Sequence, residues 1–384
     1  MNTHDPQLYR KLVSIRRDLH QHPELSHHEH RTAEKVVEWI SQTRPDKLLT
    51  SLGGHGVAAI YDSGRPGPTV IFRCELDALP IKETSGYTYQ SIYDGTAHVC
   101  GHDGHMAIML GLAEKITGNR PGIGRAILLF QPAEETGTGA EKVITDSAFQ
   151  GISPEYAFAI HNLPGFEIHQ VVLADPVFSA GSIGMEIELT GKTSHAGEPE
   201  NGINPAMAIA EIIKSYHEAA SRRDIFDEYV LITIIQVALG EKAFGTSAGH
   251  ALLRATIRAF NEKDLQNLVL HAMKEARGIA DSEKLEININ TTEEFPVTIN
   301  HSDCTQLIRN LSDKHKWSLM QLKEPFRWSE DFGHFSRIAK SALIGIGSGI
   351  DHPKLHHPNY DFPEEIIPTG IEVFFNLYKH LLLL

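Results

Sequence analysis

The chain has 384 residues, of which 41% are hydrophobic and 22% charged, with a formal net charge of −14. That length can bury a large core and admits two domains, whereas the acidic balance excludes general binding to nucleic acid or to anionic membranes, both of which need basic patches. Cys74, Cys100 and Cys304 are too few for a disulfide framework, so a reducing, cytosolic setting is expected. The opening residues carry no apolar signal region, and nowhere do about 18 apolar residues run together.

Leu8, Leu12 and Ile15 recur at helical spacing and predict a helix over 5–17, with Pro23 as its stop. His20 and His22 have no strand end beside them, which points to surface or supporting roles. A second helix is expected over 32–43, with Ala33, Val36, Val37 and Ile40 on one face. Residues 53–61 and 69–72 read as strands parted by a turn rich in proline and glycine. The second strand ends in Arg-Cys-Glu-Leu-Asp-Ala-Leu-Pro (73–80). Ligands gather beyond the carboxyl ends of strands in α/β proteins, which places Glu75 and Asp77 for chemistry; the alternative is a salt-bridged strand exit with Arg73. Asp77 is a candidate to accept an N–H from a metal-bound histidine and fix its tautomer. Cys74 alternates with these polar residues and should face the core.

The densest stretch is His-Val-Cys-Gly-His-Asp-Gly-His (98–105), followed by a run over 106–116 that is apolar on nearly all sides, as in a buried helix. Cys100 and His102 are spaced for a loop wrapping a metal; the same residues also fit a polar helix-entry turn capped by Asp103. A short apolar strand over 126–130 then ends in Gln-Pro-Ala-Glu-Glu (131–135). Two neighbouring carboxylates cannot both sit comfortably in a dry cleft. Either one binds a metal while the other serves as a general base, or the pair is a solvated acidic turn ahead of a helix. Another apolar strand, 156–160, leads to His161.

From about residue 182 the texture changes. Ile183, Met185, Ile187 and Leu189 share one face of a half-buried strand, and a helix over 205–221 begins at Pro205. Strands at 230–239 and 251–260, a helix at 262–282 and a strand at 285–292 complete a βαββαβ order, the ferredoxin-like pattern. The polar loop 191–202 holds His195 and reads by itself as a solvent loop. Arg258 can offer a bidentate fork to a substrate carboxylate or face solvent on its strand. Near the C-terminus a strand over 342–346 precedes a loop rich in histidine and aspartate, 351–362.

Four segments together, Cys-Gly-His-Asp-Gly-His (100–105), Gln-Pro-Ala-Glu-Glu (131–135), Ala-Ile-His-Asn-Leu-Pro (159–164) and Leu-His-His-Pro-Asn-Tyr-Asp-Phe (355–362), resemble the aminoacylase, hippurate hydrolase and auxin-conjugate hydrolase family of di-metal amidohydrolases. The match keeps its order over nearly the whole chain, from about residue 20 to 362. The resemblance implies that Cys100, His102, Glu135, His161 and His356 hold two divalent ions and that Glu134 is the general base. His356 is chosen over His357 because it follows Leu355 in the family's Leu-His-x-Pro pattern. His195 is implied to stabilise a tetrahedral oxyanion, often from a neighbouring subunit. Glu75 departs from the family's usual aspartate at that position.

The expected fold is therefore α/β, a zinc-exopeptidase-like α/β sandwich formed by 1–181 and 297–384, with an inserted ferredoxin-like α+β lid and dimerisation domain over 182–296. The activity implied is hydrolysis of the amide bond of small N-acyl amino acids, N-acetyl or N-benzoyl, by a homodimer or higher homo-oligomer. Thiolate and imidazole ligands suit zinc, nickel or cobalt, and the carboxylates also admit manganese. Two rivals share the residues: a metallo-exopeptidase or carboxypeptidase acting on dipeptides, and a non-catalytic protein that binds metal or amino acid. The intact Glu134–Glu135 pair argues against the second, since binding alone needs no base beside a ligand.

Overall fold

A computed structural model describes residues 5–221 and 225–383. The chain opens with α1 (Pro6–Gln21) and α2 (His30–Ser41), then β1 (Lys47–Leu52), β2 (Gly56–Asp62) and β3 (Thr69–Glu75). Next come α3 (His102–Thr117), β4 (Arg125–Gln131), α4 (Gly139–Thr145), β5 (Tyr156–Pro164), β6 (Val171–Leu173) and β7 (Val177–Ser179). The middle holds β8 (Gly181–Thr190), β9 (Ser194–His195), α5 (Ala206–Ala219), β10 (Val230–Leu239), β11 (Thr246–Ser247), β12 (His250–Ala259), α6 (Glu262–Ser282) and β13 (Glu286–Phe295). The last elements are β14 (Thr298–Ile299), α7 (Ser302–His315), β15 (Leu319–Gln321), β16 (Lys340–Gly349) and α8 (Ile367–Leu382).

Two compact units divide these elements. Met1–Phe178, Thr298–Glu324 and Asp331–Leu384 make the first, and Ser179–Val297 with Pro325–Glu330 the second. The segment Pro325–Glu330, which the sequence reading left in the first domain, packs with the second, where the Ala180 amide donates to the Phe326 carbonyl at 2.9 Å. Among the described residues no helix is long and apolar enough to cross a membrane.

The first unit is built on an eight-stranded sheet in the order β1-β2-β4-β3-β5-β16-β6-β15. Its centre, β4-β3-β5-β16, is parallel and buried almost throughout. Strands covered on both faces need apolar residues at successive positions, which is why these read as unbroken apolar runs. Parallel pairing also gathers their carboxyl ends along one edge of the sheet, the edge where ligands collect in such folds. β1, β6, β7, β14, β15, α7 and α8 lie outside the predicted elements.

Local chemistry sets the helix starts. The Asp5 carboxylate accepts the Gln7 and Leu8 amides at 2.9 and 3.4 Å and so begins α1 at Pro6. α1 runs on to Gln21, so His20 is helical and buried rather than on the surface. α3 is buried on nearly every side, as its composition predicts. Its cap is Gly101 rather than Asp103. Gly101 has φ +98, and a Cβ there would lie 2.3 Å from Asn162 Oδ1, so no other residue fits. Asp103 sits instead in the first turn, where its carboxylate meets Arg16 Nε at 2.8 Å.

The second unit has the predicted βαββαβ order, and its four-stranded sheet runs β10-β12-β8-β13 with every pair antiparallel. Alternation places Ile183, Met185, Ile187 and Leu189 of β8 in the core, against Ile212 of α5 and Leu265 and Leu268 of α6. Pro205 caps α5 rather than standing inside its first turn.

Candidate metal centre

The parallel strands and the start of α3 deliver side chains to one space. β3 ends at Glu75 with Asp77 just beyond, β4 leads into Glu134 and Glu135, and α3 begins with His102 two residues after Cys100. His161 lies within β5 rather than past its end, and His356 follows β16. The ligand atoms of Cys100, His102 and His161 lie within 4.8 Å of one another, as do those of Cys100, Glu135 and His356, and those of His102, Glu134 and Glu135. Cys100 belongs to two of these overlapping groups and Glu135 to two, so the geometry is that of adjoining sites with shared ligands.

Each histidine is aimed by a main-chain partner. His102 Nδ1 donates to the Asp77 carbonyl at 2.9 Å, which turns Nε2 toward Glu134 Oε2 at 3.9 Å and Glu135 Oε1 at 3.8 Å. His161 Nδ1 donates to the Asn162 carbonyl at 2.9 Å, leaving Nε2 3.6 Å from Cys100 Sγ. The His356 amide donates to the Val99 carbonyl at 2.8 Å, and its Nε2 stands 3.7 Å from Glu135 Oε2. His356 has φ +64 and Ala133, just before the glutamate pair, φ +52. Such left-handed residues cost about 1–3 kcal/mol and cluster at functional sites.

The donor set fits a divalent cation. A thiol, three imidazoles and two carboxylates share the space, a mixture of soft and hard donors. His102 Nε2 and Glu135 Oε1 are buried without a hydrogen-bond partner, which is costly unless a cation answers them. The electrostatics agree. Burial pulls the His102 imidazolium down, yet Asp77, Glu75 and Glu135 outweigh it and push the group up to about 10. Burial, with Asp77 adding to it, also raises Glu135 against the lowering effect of His102. Burial moves the other two imidazoles the opposite way, lowering His161 well below its usual value and His356 to about 4, so both are held neutral, the form in which a ring nitrogen can bind a cation.

Asp77 differs in detail from its sequence reading. It meets His102 through its carbonyl, while its carboxylate accepts Ser26 Oγ at 2.7 Å and the Glu135 amide at 2.9 Å, and Oδ1 is 3.6 Å from His102 Nδ1. Glu75 is buried, paired with Arg73, and accepts from His105 Nδ1 at 2.7 Å. The other nitrogen of His105 faces Asn162 Oδ1 at 2.6 Å, so both its ring atoms are committed. Sequence reasoning passed over His105, although its place three residues after His102 on a helix was a signal. The salt-bridged strand exit that the sequence offered as the alternative is present for Glu75, and buried Arg73 also reaches Gln131 Oε1 at 2.9 Å and Asp331 Oδ1 at 2.5 Å. The Asp331 amide in turn donates to Glu134 Oε1 at 3.4 Å.

His195 and Arg258 belong to the second unit and are not among the residues the first unit gathers. His195 sits on β9, paired with β11 rather than in an open loop, and its exposed ring accepts the Gly197 amide on Nδ1 at 3.1 Å. That bond puts the proton of the neutral ring on Nε2, as a donor. Arg258 gives Nη1 to the Arg327 carbonyl at 3.1 Å and to Ser329 Oγ at 2.8 Å.

The sequence profile of the family described as peptidase family M20/M25/M40 matches residues 71–380. The chain is 30% identical over 380 residues to an N-acetyl-L-cysteine deacetylase of Bacillus subtilis (strain 168), covering 98% of this chain and 89% of that one. It is 26% identical over 370 residues to an N-acetyldiaminopimelate deacetylase of Listeria innocua serovar 6a, covering 96% and 99%. Among solved structures it is similar to the Bacillus subtilis YXEP protein, described as a dinuclear metal-binding peptidase from the M20 family, with a TM-score of 0.82, 25% identity and coverage of 98% and 99%. With most of its length matched and the same fold throughout, the chain belongs to peptidase family M20/M25/M40.

Proposed function

We propose that this protein is a metal-dependent amidohydrolase that cleaves N-acyl amino acids, N-acetyl derivatives first among them, to a carboxylic acid and a free amino acid. The observation that carries the reading is the Glu134–Glu135 pair among thiol and imidazole donors, where Glu134 Oε2 and Glu135 Oε1 approach the same ring nitrogen at 3.9 and 3.8 Å. The deacetylase relatives support the choice of acyl group.

In this reading Cys100, His102, Glu135, His161 and His356 hold two divalent ions, of zinc, manganese, nickel or cobalt. When bound, the ions polarise the scissile carbonyl and acidify a water. Glu134 takes the proton of the attacking water and returns it to the leaving amine. Its carboxylate is braced for this by the Asp331 amide. Asp77 keeps His102 in the tautomer that turns Nε2 inward. His195 donates from Nε2 to the developing oxyanion, and Arg258 binds the substrate carboxylate. Self-association through the second unit completes the reading, supported by exposed Ile235, Val237 and Leu239 on β10, an edge strand.

The test is activity after chelation and refilling with each metal, across N-acetyl amino acids, N-benzoyl amino acids and dipeptides. Metal-restored turnover of N-acyl amino acids is expected. Faster dipeptide cleavage would make the protein an exopeptidase, and silence with every metal would make it a binding protein.

A further inference from the structure

The turn that carries the two glutamates is gripped from outside. Ala133, with φ +52, is in a conformation that a residue with a Cβ keeps only when its surroundings hold it there. Its amide donates to Glu29 Oε1 at 2.8 Å, and the same oxygen accepts the His27 amide at 3.0 Å. Its carbonyl accepts the Gly139 amide at 3.1 Å. One residue beyond Glu134, the Glu135 amide is held by Asp77 Oδ2 at 2.9 Å. Two carboxylates from elsewhere in the chain thus bracket Glu134 by gripping the amides on either side of it.

Glu29 is an odd choice for a merely structural position. It is 0% exposed, and its second oxygen, Oε2, is buried with no hydrogen-bond partner. Burying a carboxyl in this way costs stability. It stands at the start of α2 without capping that helix through its side chain, where a short polar residue serves better. What it does reach is Ala133.

We propose that Glu29 is a positioning residue for Glu134, holding Ala133 left-handed and thereby aiming the Glu134 carboxylate. The inference rests on the reading of Glu134 as the general base. Glu29 is attached to a helix, so the grip comes from a rigid element rather than a loop.

The experiment compares Glu29→Ala, Glu29→Gln, Glu29→Asp, Glu29→Ala with Ala133→Gly, and Glu134→Gln. Each is made in the full metal-loaded chain and assayed on the best N-acyl amino acid from the panel above, with metal content measured for every variant. Glu29→Ala is expected to lower kcat on the order of 10²-fold, the usual effect of a small misplacement, with KM little changed and metal content intact. Glu29→Gln keeps an acceptor oxygen and should restore most of kcat. Ala133→Gly in the Glu29→Ala background should recover about tenfold, because glycine is left-handed without help. Packing loss alone would not be mended in that way. Should Glu29→Ala fail to fold, Glu29→Asp keeps the charge but falls one methylene short of the Ala133 amide, and should show the same loss. Wild-type kcat in either short variant, loss of metal with the loss of rate, or no recovery from Ala133→Gly would each overturn the inference. An active Glu134→Gln would instead overturn the general-base reading beneath it, whereas an inactive Glu134→Gln beside a fully active Glu29→Ala overturns the inference alone.

Discussion

Gly104→Ala sets two ordinary effects against each other at the heart of the site. In a helix interior, replacing glycine by alanine stabilises by about 1 kcal/mol through backbone entropy. Gly104 lies in α3 between His102 and His105, and a Cβ there would fall 2.3 Å from Phe362 Cγ and Cδ2 and 2.4 Å from Cδ1. The ring is only 1% exposed and stands edge-on to His105 at 6.1 Å, so it cannot swing aside into solvent. Overpacking of this kind costs about 1–3 kcal/mol, and a collision with three ring atoms belongs at the upper end. The net expectation is a destabilisation of about 2 kcal/mol. Phe362 ends the segment that begins at Leu355 and carries His356, so the strain should also reach the proposed metal ligands. A supporting residue of this sort changes metal affinity by roughly tenfold or more. Urea unfolding of the chelated protein reads the first effect, and calorimetric titration with zinc or manganese reads the second. A variant about 1 kcal/mol more stable than wild type, with unchanged metal affinity, would refute the reasoning, because Phe362 would then yield freely.

Cys100→Ser should weaken metal binding and shift preference toward harder ions, since a serine hydroxyl stays protonated where a thiolate forms readily; unchanged metal content and preference would remove Cys100 from the ligand set. His195→Ala should lose about 10²–10³ in kcat with little change in KM, as for a lost oxyanion donor, and a normal kcat would return it to an ordinary surface histidine. For pH, His20 is the clearest group. Burial pulls it down, but Asp103 at 2.8 Å and Glu83 at 3.2 Å outweigh that and lift it from 6.5 to about 9. A folded-state pKa raised above the unfolded value gives stabilisation that is complete below pH 6.5 and lost as pH rises through 9, here on the order of 3 kcal/mol. Unfolding curves at pH 6 and 9.5 should therefore differ less in His20→Gln than in wild type, and equal slopes would deny the charged pair.

What the linear order of residues determined was chemistry and rhythm. Runs without polar residues at 126–130 and 156–160 had to be strands covered on both faces, and the alternation from Ile183 to Leu189 had to be half-buried, because the period of exposure is written into successive side chains. The residue types able to take a cation were legible for the same reason: cysteine, histidine and paired glutamates at strand ends are expensive anywhere else. Tertiary structure decided the partners. Asp77 turns His102 through a carbonyl, and a carbonyl is the same in every residue, so no side chain announces it. Glu75 meets His105, and Arg16 meets Asp103 and Asp361, across separations of 30 to 345 residues. Glu29 reaches Ala133 over 104 residues, from a stretch of sequence that reads only as the approach to a helix. Hydrogen bonds and ion pairs of this length leave no period along the chain. They exist only after the parallel strands have brought their ends to one edge, and it is there that the aim of each candidate ligand is set.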